Sequence, residues 1–160
     1  MSEVDREKVP EIFKRHIGTW KGEYIKTDSR GHFLRSFLGT FTIAIKETGY
    51  WQVNRYEYSD GTGVTLNFKG EFEGGILKMS SGSYSDFRAI AWDAGQDTIG
   101  FRATKTQDGT LITFVETMTL LAQDHRVRST QEFKDEIFVG ISFIEEIRLK
   151  SSDTEELLVF

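Results

Sequence analysis

The sequence predicts an all-β fold: a single antiparallel, up-and-down barrel of ten strands preceded by one short N-terminal helix. Turn signals rich in Gly, Asp and Ser recur at intervals of about ten residues. Between them, apolar and polar residues alternate with period two, as expected of strands with one buried face. The one proline, Pro10, precedes all of these segments, which agrees because a proline inside a central strand would remove a ladder hydrogen bond.

The helix is predicted at Pro10–His16, where the proline takes a first-turn position and Ile12 and Phe13 form an apolar pair. Nine turn signals then separate ten strands. They are Asp28-Ser29-Arg30-Gly31, Glu47-Thr48-Gly49, Asp60-Gly61-Thr62-Gly63, Glu73-Gly74-Gly75, Ser80-Ser81-Gly82, Asp93-Ala94-Gly95, Asp108-Gly109, Gln123-Asp124 and Lys134-Asp135-Glu136. Short turns indicate antiparallel hairpins, since parallel neighbours need crossovers of about a dozen residues.

Apolar faces are clearest on the second, fourth and seventh strands. They comprise Phe37, Gly39, Phe41, Ile43 and Ile45, then Val64, Leu66, Phe68 and Phe72, then Ile99, Phe101 and Ala103. On the third, ninth and tenth strands both faces carry polar residues, so which face lies inside stays open. Ten consecutive antiparallel strands would expose edges in an open sheet, and closure into a barrel removes them. A two-sheet sandwich is the alternative.

The length and composition indicate one domain over residues 1–160, with an N-terminal helical segment (1–16), a barrel (17–150) and a C-terminal tail (151–160). The chain has no cysteine, which excludes disulfides, thiolate metal sites and cysteine nucleophiles. A net charge of −5 argues against binding to nucleic acid. The charged N-terminus lacks a signal-peptide apolar region, and no apolar stretch is long enough to span a membrane, so we expect a cytoplasmic protein.

Polar residues on strands that enclose a barrel predict a ligand site, because unpaired polar groups inside a protein cost about 1–3 kcal/mol each. Aromatic residues would form the apolar body of a cavity and a few polar groups would orient a small molecule. The predicted ligand-binding residues are Asn54, Tyr56, Phe68, Phe101, Phe114, Arg128, Gln131 and Glu146. The alternative is a filled barrel in which these groups pair with one another, Arg128 with Glu146 or Glu132.

Nucleophilic catalysis has no support, because there is no cysteine and no Gly-x-Ser-x-Gly turn. Acid–base chemistry stays open through Glu116, which shares a strand face with Phe114 and Met118. If that face lies inside, the buried carboxyl would have a raised pKa suited to proton transfer. A salt bridge to Arg102, Arg126 or Arg128 is the alternative. Glu116, Glu146 and Arg128 are therefore the candidate catalytic residues.

The three histidines, His16, His32 and His125, are scattered and have no metal-ligand spacing. We therefore predict no metal site and no cofactor. The alternative is haem, because a single interior histidine can ligate haem iron, and His125 would be that ligand.

Gly18-Thr19-Trp20, opening the first strand after a short helix, resembles the GxW signature of the calycin superfamily, the lipocalins and their relatives. In that superfamily an arginine of the last strand packs over this tryptophan. The resemblance implies that Arg148 stacks on Trp20 and closes one end of the barrel through a cation–π contact.

A fuller pattern extends over nearly the whole chain and resembles the DUF3598 family of calycin-like proteins. It consists of Trp20-Lys21-Gly22, Gln52-Val53-Asn54-Arg55-Tyr56, Asp60-Gly61, Phe68-Lys69-Gly70, His125-Arg126-Val127-Arg128, Gln131, Phe133 and Glu146-Ile147-Arg148. That family is similar in architecture to bilin lyases and to nitrobindin-type haem barrels, and it is largely without an assigned function. The resemblance therefore implies a fold more than an activity.

These observations together predict a barrel that binds a hydrophobic or conjugated small molecule in its interior. One alternative is an enzyme of the cyclase, isomerase or bilin-lyase type that uses the cavity as a template. A second is a ligand-free barrel that acts as a protein-interaction module. Aromatic residues such as Trp51 permit a homodimer without requiring one.

Overall fold

The computed structural model describes residues 8–150, which form one short helix and a closed barrel of ten antiparallel strands. The elements are α1 (Glu11–Lys14), β1 (Gly18–Thr27), β2 (Phe33–Lys46), β3 (Gly49–Glu57), β4 (Gly63–Glu73), β5 (Ile76–Ser81), β6 (Arg88–Gly95), β7 (Thr98–Gln107), β8 (Thr110–Ala122), β9 (His125–Lys134) and β10 (Ile137–Arg148). Each strand pairs with its chain neighbours, and β10 returns to pair with β1. The predicted fold class is confirmed and the sandwich alternative is wrong. The predicted end segments include residues 1–7 and 151–160, which lie outside the described residues.

The turns form where the sequence predicts them, with two differences. Asp108 and Gly109 both have positive φ, 51° and 77°, as a two-residue hairpin turn requires. In the first turn the Asp28 carboxylate accepts hydrogen bonds from the backbone N–H groups of Arg30 and His32, each at 2.9 Å. The first difference lies after β5, which continues through Ser81 and is followed by the longer connection 82–87. The second lies after β6, which includes the predicted turn Asp93-Ala94-Gly95, so that the turn is made by Gln96 and Asp97 with positive φ of 49° and 57°.

The strands with two polar faces have one definite inner face each. The inward-facing residues of β3 are Tyr50, Gln52, Asn54 and Tyr56, and Tyr58 continues this row just after the strand. The row of β9 that begins with Arg126 and the row of β10 that ends with Glu146 and Arg148 also face the interior. A bulge in β10 between Phe138 and Gly140 places the backbone of Gly140 against that of Thr27. A Cβ on Gly140 would lie 2.1 Å from the Thr27 carbonyl oxygen, so only glycine fits there.

One end of the barrel is closed by α1 and by the first residues of β1. Phe13 is buried and its ring lies 4.9 Å from that of Phe72. Trp20 is fully buried and donates its indole N–H to the carbonyl of His16 at 3.0 Å. The Arg148 guanidinium lies 4.2 Å from the Trp20 ring centroid, so the contact that the resemblance implied is present. We call this end the floor.

Arg148 also donates hydrogen bonds to backbone carbonyl groups at the ends of secondary-structure elements that meet at the floor. Its guanidinium donates hydrogen bonds to the carbonyls of Arg15, Ile17 and Gln123, which belong to α1, the entry to β1 and the β8–β9 turn. These carbonyls lie at strand and helix ends and have no ladder partner of their own. One side chain of the last strand therefore ties three separate segments to the floor.

The opposite end is open. The turns at residues 28–32, 58–62, 82–87, 108–109 and 135–136 surround it, and apolar side chains there are exposed, Leu34 at 60% and Val64 at 40%. We call this end the mouth, and define it by the inward-facing residues Lys26, Arg35, Tyr58, Lys105, Glu132 and Lys134 together with Tyr84 of the 82–87 connection. Among residues 8–150, the floor is covered and the mouth gives access to the interior.

Trp20→Ala is expected to lower the free energy of unfolding by about 3–5 kcal/mol, the usual cost of deleting a large buried aromatic side chain. Trp51→Ala is the matched control, because Trp51 lies on the outer face of β3 and is 36% exposed. Urea denaturation of both variants measures the difference. Equal losses in the two variants would contradict the closing role of Trp20.

Candidate ligand cavity

The barrel encloses a cavity of about 670 Å³ that extends from α1 to the mouth. Its volume falls within the range of about 300–1,000 Å³ that is usual for small-molecule sites. An apolar wall is formed by consecutive strands from β4 to β8. Its residues are Leu66, Phe68, Leu77, Met79, Ala91, Ile99, Phe101, Ala103, Ile112, Phe114 and Met118.

The facing wall is polar and begins with a ladder of side chains on β3. The Tyr50 hydroxyl donates to the Gln52 carbonyl oxygen, the Gln52 amide donates to Asn54 at 2.8 Å, and the Asn54 amide donates to the Tyr56 hydroxyl at 3.1 Å. Residues two apart on a strand lie on one face about 7 Å apart, which amide side chains can bridge. Burial raises the pKa of Tyr56 to about 12, although the positive charge of Arg128 opposes this. Tyr56 therefore remains a neutral hydroxyl facing the cavity.

A buried ion network lies between this wall and the floor. Glu146 is fully buried and accepts two hydrogen bonds from Arg126, at 2.6 and 3.1 Å, and one from Arg128 at 2.8 Å. Burial alone would raise the pKa of Glu146, but the charges of Arg128 and Arg126 hold it below its ordinary value. Glu146 is therefore an anion shared by two cations.

Glu116 completes the network on the cavity side. Its carboxylate accepts a hydrogen bond from the Thr130 hydroxyl at 2.6 Å and lies 3.7 Å from an Arg128 nitrogen. The two arginines and the two glutamates balance in charge, so the network needs no external counter-ion. Of the two interpretations of Glu116 that the sequence left open, the structure contains the salt bridge, and its partner is Arg128.

Aromatic rings support both arginines of the network. The Arg126 guanidinium lies 4.3 Å from the Trp20 ring centroid, and that of Arg128 lies 3.9 Å from the Phe41 centroid. Desolvated guanidinium groups over aromatic faces gain about 2 kcal/mol or more. The contact to Trp20 joins the ion network to the floor.

His16 takes part in the network as a neutral acceptor. Arg126 donates to His16 Nδ1 at 2.9 Å, which places the ring proton on Nε2. Burial lowers the pKa of His16 to about 3, and the nearby charges of Arg126, Arg148, Arg128 and Arg15 act in the same direction. The ring therefore stays uncharged at neutral pH.

The structure brings most of the predicted ligand residues together. Asn54, Tyr56, Phe68, Phe101, Phe114 and Arg128 line the cavity. Glu146 does not, because its carboxylate is enclosed by the two arginines. Of the three candidate catalytic residues, Glu116 and Arg128 therefore reach the cavity and Glu146 does not.

Two expectations need correction. Gln131 is exposed on the outer face of β9 and does not line the cavity. It follows Arg128 by three residues, an odd number, so strand alternation sends the two side chains to opposite faces. His125 also lies on the outer face, where its Nε2 is 2.6 Å from Glu145, so it does not face the cavity as the haem alternative needs.

Sequence reasoning missed the central positions of Arg126 and His16. Arg126 shares the inner face of β9 with Arg128, so choosing the face for one would have included the other. His16 contacts Arg126 across 110 residues of sequence, and only the closure of the barrel brings them together. The basic residues at the mouth were also missed, because each lies close to a turn and resembles the charged residues of that turn.

Glu146→Gln is expected to lower the free energy of unfolding by about 3–5 kcal/mol, because it leaves Arg126 buried without a carboxylate. Glu145→Gln is the matched control: Glu145 is the neighbouring residue, lies on the outer face and is paired only with the exposed His125. Its loss is expected to stay within about 0.5 kcal/mol. Chemical denaturation measures both free energies of unfolding. A small decrease for Glu146→Gln would show that the ion network contributes little to stability.

Stability is expected to fall as pH falls below 6.5 because of His16. An unfolded histidine titrates near 6.5 and the folded His16 near 3, so between these values only the unfolded state binds the proton. The free energy of unfolding then decreases by about 1.4 kcal/mol per pH unit. His16→Gln keeps an acceptor for Arg126 and is expected to remove this slope between pH 6.5 and 5, whereas His32→Gln, at an exposed turn, is the control. An unchanged slope in His16→Gln would contradict the assignment.

No family model matches the chain, and no curated protein matches it. Within residues 8–150 no helix is long and apolar enough to cross a membrane, and no cluster of three or more potential metal ligands occurs.

Solved structures match the fold. A protein of unknown function from the DUF3598 family of Nostoc punctiforme is 16% identical, with a TM-score of 0.63 over 86% of this chain and 49% of its own. The chain thus spans about half the length of that protein. The S-type phycobiliprotein lyase of Guillardia theta is 11% identical, with a TM-score of 0.62 over 94% of this chain and 99% of its own.

A protein of M. tuberculosis is also 11% identical, with a TM-score of 0.61 over 89% of this chain and 99% of its own. Identities this low show the fold and not the activity. The resemblance seen in the sequence is therefore confirmed as a likeness of fold: the chain is a closed antiparallel barrel of the kind found in a DUF3598 protein and a phycobiliprotein lyase.

Proposed function

We propose that the protein binds a hydrophobic small molecule inside its barrel. The observation that carries this proposal is the cavity itself, about 670 Å³ of space with an apolar wall on one side and hydroxyl and amide groups on the other. Interiors are normally packed to the density of organic crystals, so a space of this size is not a packing defect. A flat or elongated molecule would lie against the wall that includes Phe68, Phe101 and Phe114.

The polar wall supports binding that is oriented as well as hydrophobic. Asn54 is buried and Tyr56 is half-buried at the cavity surface, and the ladder on β3 leaves hydroxyl and amide atoms able to accept or donate one further hydrogen bond. The charged groups beneath them are already neutralised by one another. The ligand therefore needs polar atoms that can form hydrogen bonds with Tyr56 and Asn54. The part of the ligand inside the cavity needs no charge, because the buried ion network has no charge left to balance.

A second candidate is the handling of a conjugated chromophore. The fold extends over 99% of the phycobiliprotein lyase of Guillardia theta, which favours a bilin among hydrophobic ligands. The chain has no cysteine, so it would hold such a molecule without a thioether bond to itself. A visible absorption change on titration with a bilin supports this candidate, and an unchanged spectrum rejects it.

Turnover would depend on Glu116, the carboxylate that lines the deep part of the cavity. Because Glu116 is held by Thr130 and faces Arg128, it can exchange a proton with a bound molecule only if that molecule reaches the same oxygen atoms. Glu116→Gln keeps the shape of this group. A ligand that is converted by the native protein but only bound by Glu116→Gln would identify an enzyme of the cyclase or isomerase type.

Phe101→Trp and Phe68→Trp are expected to weaken the binding of the neutral hydrophobic dye Nile red, because the larger rings fill space that the ligand would use. The free energy of unfolding should change little, since added bulk is tolerated where a void exists. Ile90→Trp is the matched control, because Ile90 lies on the outer face of β6. Fluorescence titration and thermal melting measure the two effects.

The opposite pattern contradicts the proposal. In a filled barrel the same substitutions cost about 1–3 kcal/mol through overpacking. Destabilised variants, together with a native protein that leaves Nile red unbound, would show that the interior does not accept a ligand.

A further inference from the structure

The charged side chains that face inward at the mouth of the barrel are mostly basic. Lys26, Arg35, Lys105 and Lys134 lie at or near the mouth ends of β1, β2, β7 and β9, and all four line the cavity. Glu132 is the acidic residue that lines the mouth with them. The chain as a whole carries a net charge of −5, so this local excess of positive charge is opposite in sign to the rest of the protein.

These four charges are not neutralised within the described residues. No carboxylate of residues 8–150 lies within the 4.0 Å ion-pair distance of their nitrogen atoms, whereas other basic residues such as Lys78 and Arg15 have such partners. Lys26 and Arg35 are direct cross-strand partners between β1 and β2. Like charges directly opposite one another destabilise a sheet. The mouth therefore keeps an arrangement that costs stability.

Aromatic rings position two of these cations without cancelling their charge. The Lys105 ammonium lies 4.1 Å from the centroid of Tyr84, and the Arg35 guanidinium lies 5.4 Å from Phe37 and 5.8 Å from Tyr58. A cation over a ring face keeps its remaining donors free for another partner.

The charges at the mouth also act on Lys26. Burial lowers its pKa, Glu132 opposes that change, and Arg35, Lys105 and Lys134 add to it. An anion placed among these groups would relieve the repulsion.

We propose that the mouth binds the carboxylate of the molecule whose apolar body occupies the cavity. The ligand class is therefore an amphipathic organic acid, which enters with its hydrocarbon or conjugated part first. This inference rests on the proposed function and narrows it from hydrophobic molecules in general to acids. Lys26 and Arg35 are the main contacts, because they face each other across β1 and β2 and a carboxylate between them would bond to both.

The test compares one fluorescent fatty acid with its uncharged derivative. The probes are cis-parinaric acid and its methyl ester, which have the same conjugated chain. The variant is Lys26→Gln with Arg35→Gln, and the control is Lys21→Gln with Lys69→Gln, which removes the same charge from exposed residues on the outer faces of β1 and β4. Native protein should bind the acid more tightly than the ester, and salt should weaken only the acid.

The mouth variant should lose about tenfold or more in affinity for the acid, as expected when charge-assisted hydrogen bonds are removed. Its affinity for the ester should stay within about twofold, and its melting temperature should equal or exceed that of the native protein because a like-charge pair is gone. The control pair should change neither affinity. An equal loss for acid and ester would instead assign Lys26 and Arg35 a structural role.

The outcomes separate this inference from the proposed function. If native protein binds Nile red and the ester but has no preference for the acid, the inference is wrong and the cavity remains a ligand site. If none of the three probes binds, the proposed function itself fails.

Discussion

The buried pairing of Glu146 with Arg126 and Arg128 is the constraint on which the rest of the barrel depends. Charged groups inside a protein cost several kcal/mol each unless they are paired and hydrogen-bonded. Here β9 supplies both cations and β10 supplies the anion, so the two strands must adopt the register in which Glu146 lies opposite Arg126. A shift of one residue in either strand would turn the charged side chains of that strand to the outer face and leave the opposite charge of the other strand buried without its partner.

The same network fixes the floor of the barrel and borders the cavity above it. Arg126 rests on Trp20 and bonds to His16, which fixes α1 against the floor. Arg128 rests on Phe41 and turns its other side towards Glu116 and the cavity. Because the buried charges near the floor are paired with one another, the inward-facing charges without an ion pair lie at the mouth. A ligand with one apolar end and one acidic end matches this distribution of charge.

The fold could be predicted from the sequence because local signals carry it: period-two alternation, turn residues and a proline outside the strands. The site could be predicted only in part. The pattern identified Arg128 and Tyr56 because polar residues within alternating strands stand out, but it grouped Gln131 with them although strand alternation places the two on opposite faces. The contact between His16 and Arg126 depends on barrel closure, and no local pattern reports it. The charge at the mouth becomes visible only when the ends of four strands are brought around one opening.

The most direct measurement is native mass spectrometry of the protein isolated from its own cells, combined with an absorption spectrum. The account predicts a species heavier than the chain by one small molecule, released on denaturation and identified as an apolar compound with a carboxylic acid group. Recovery of the bare chain alone, together with a crystal structure in which the cavity side chains have collapsed to fill the interior, would contradict it.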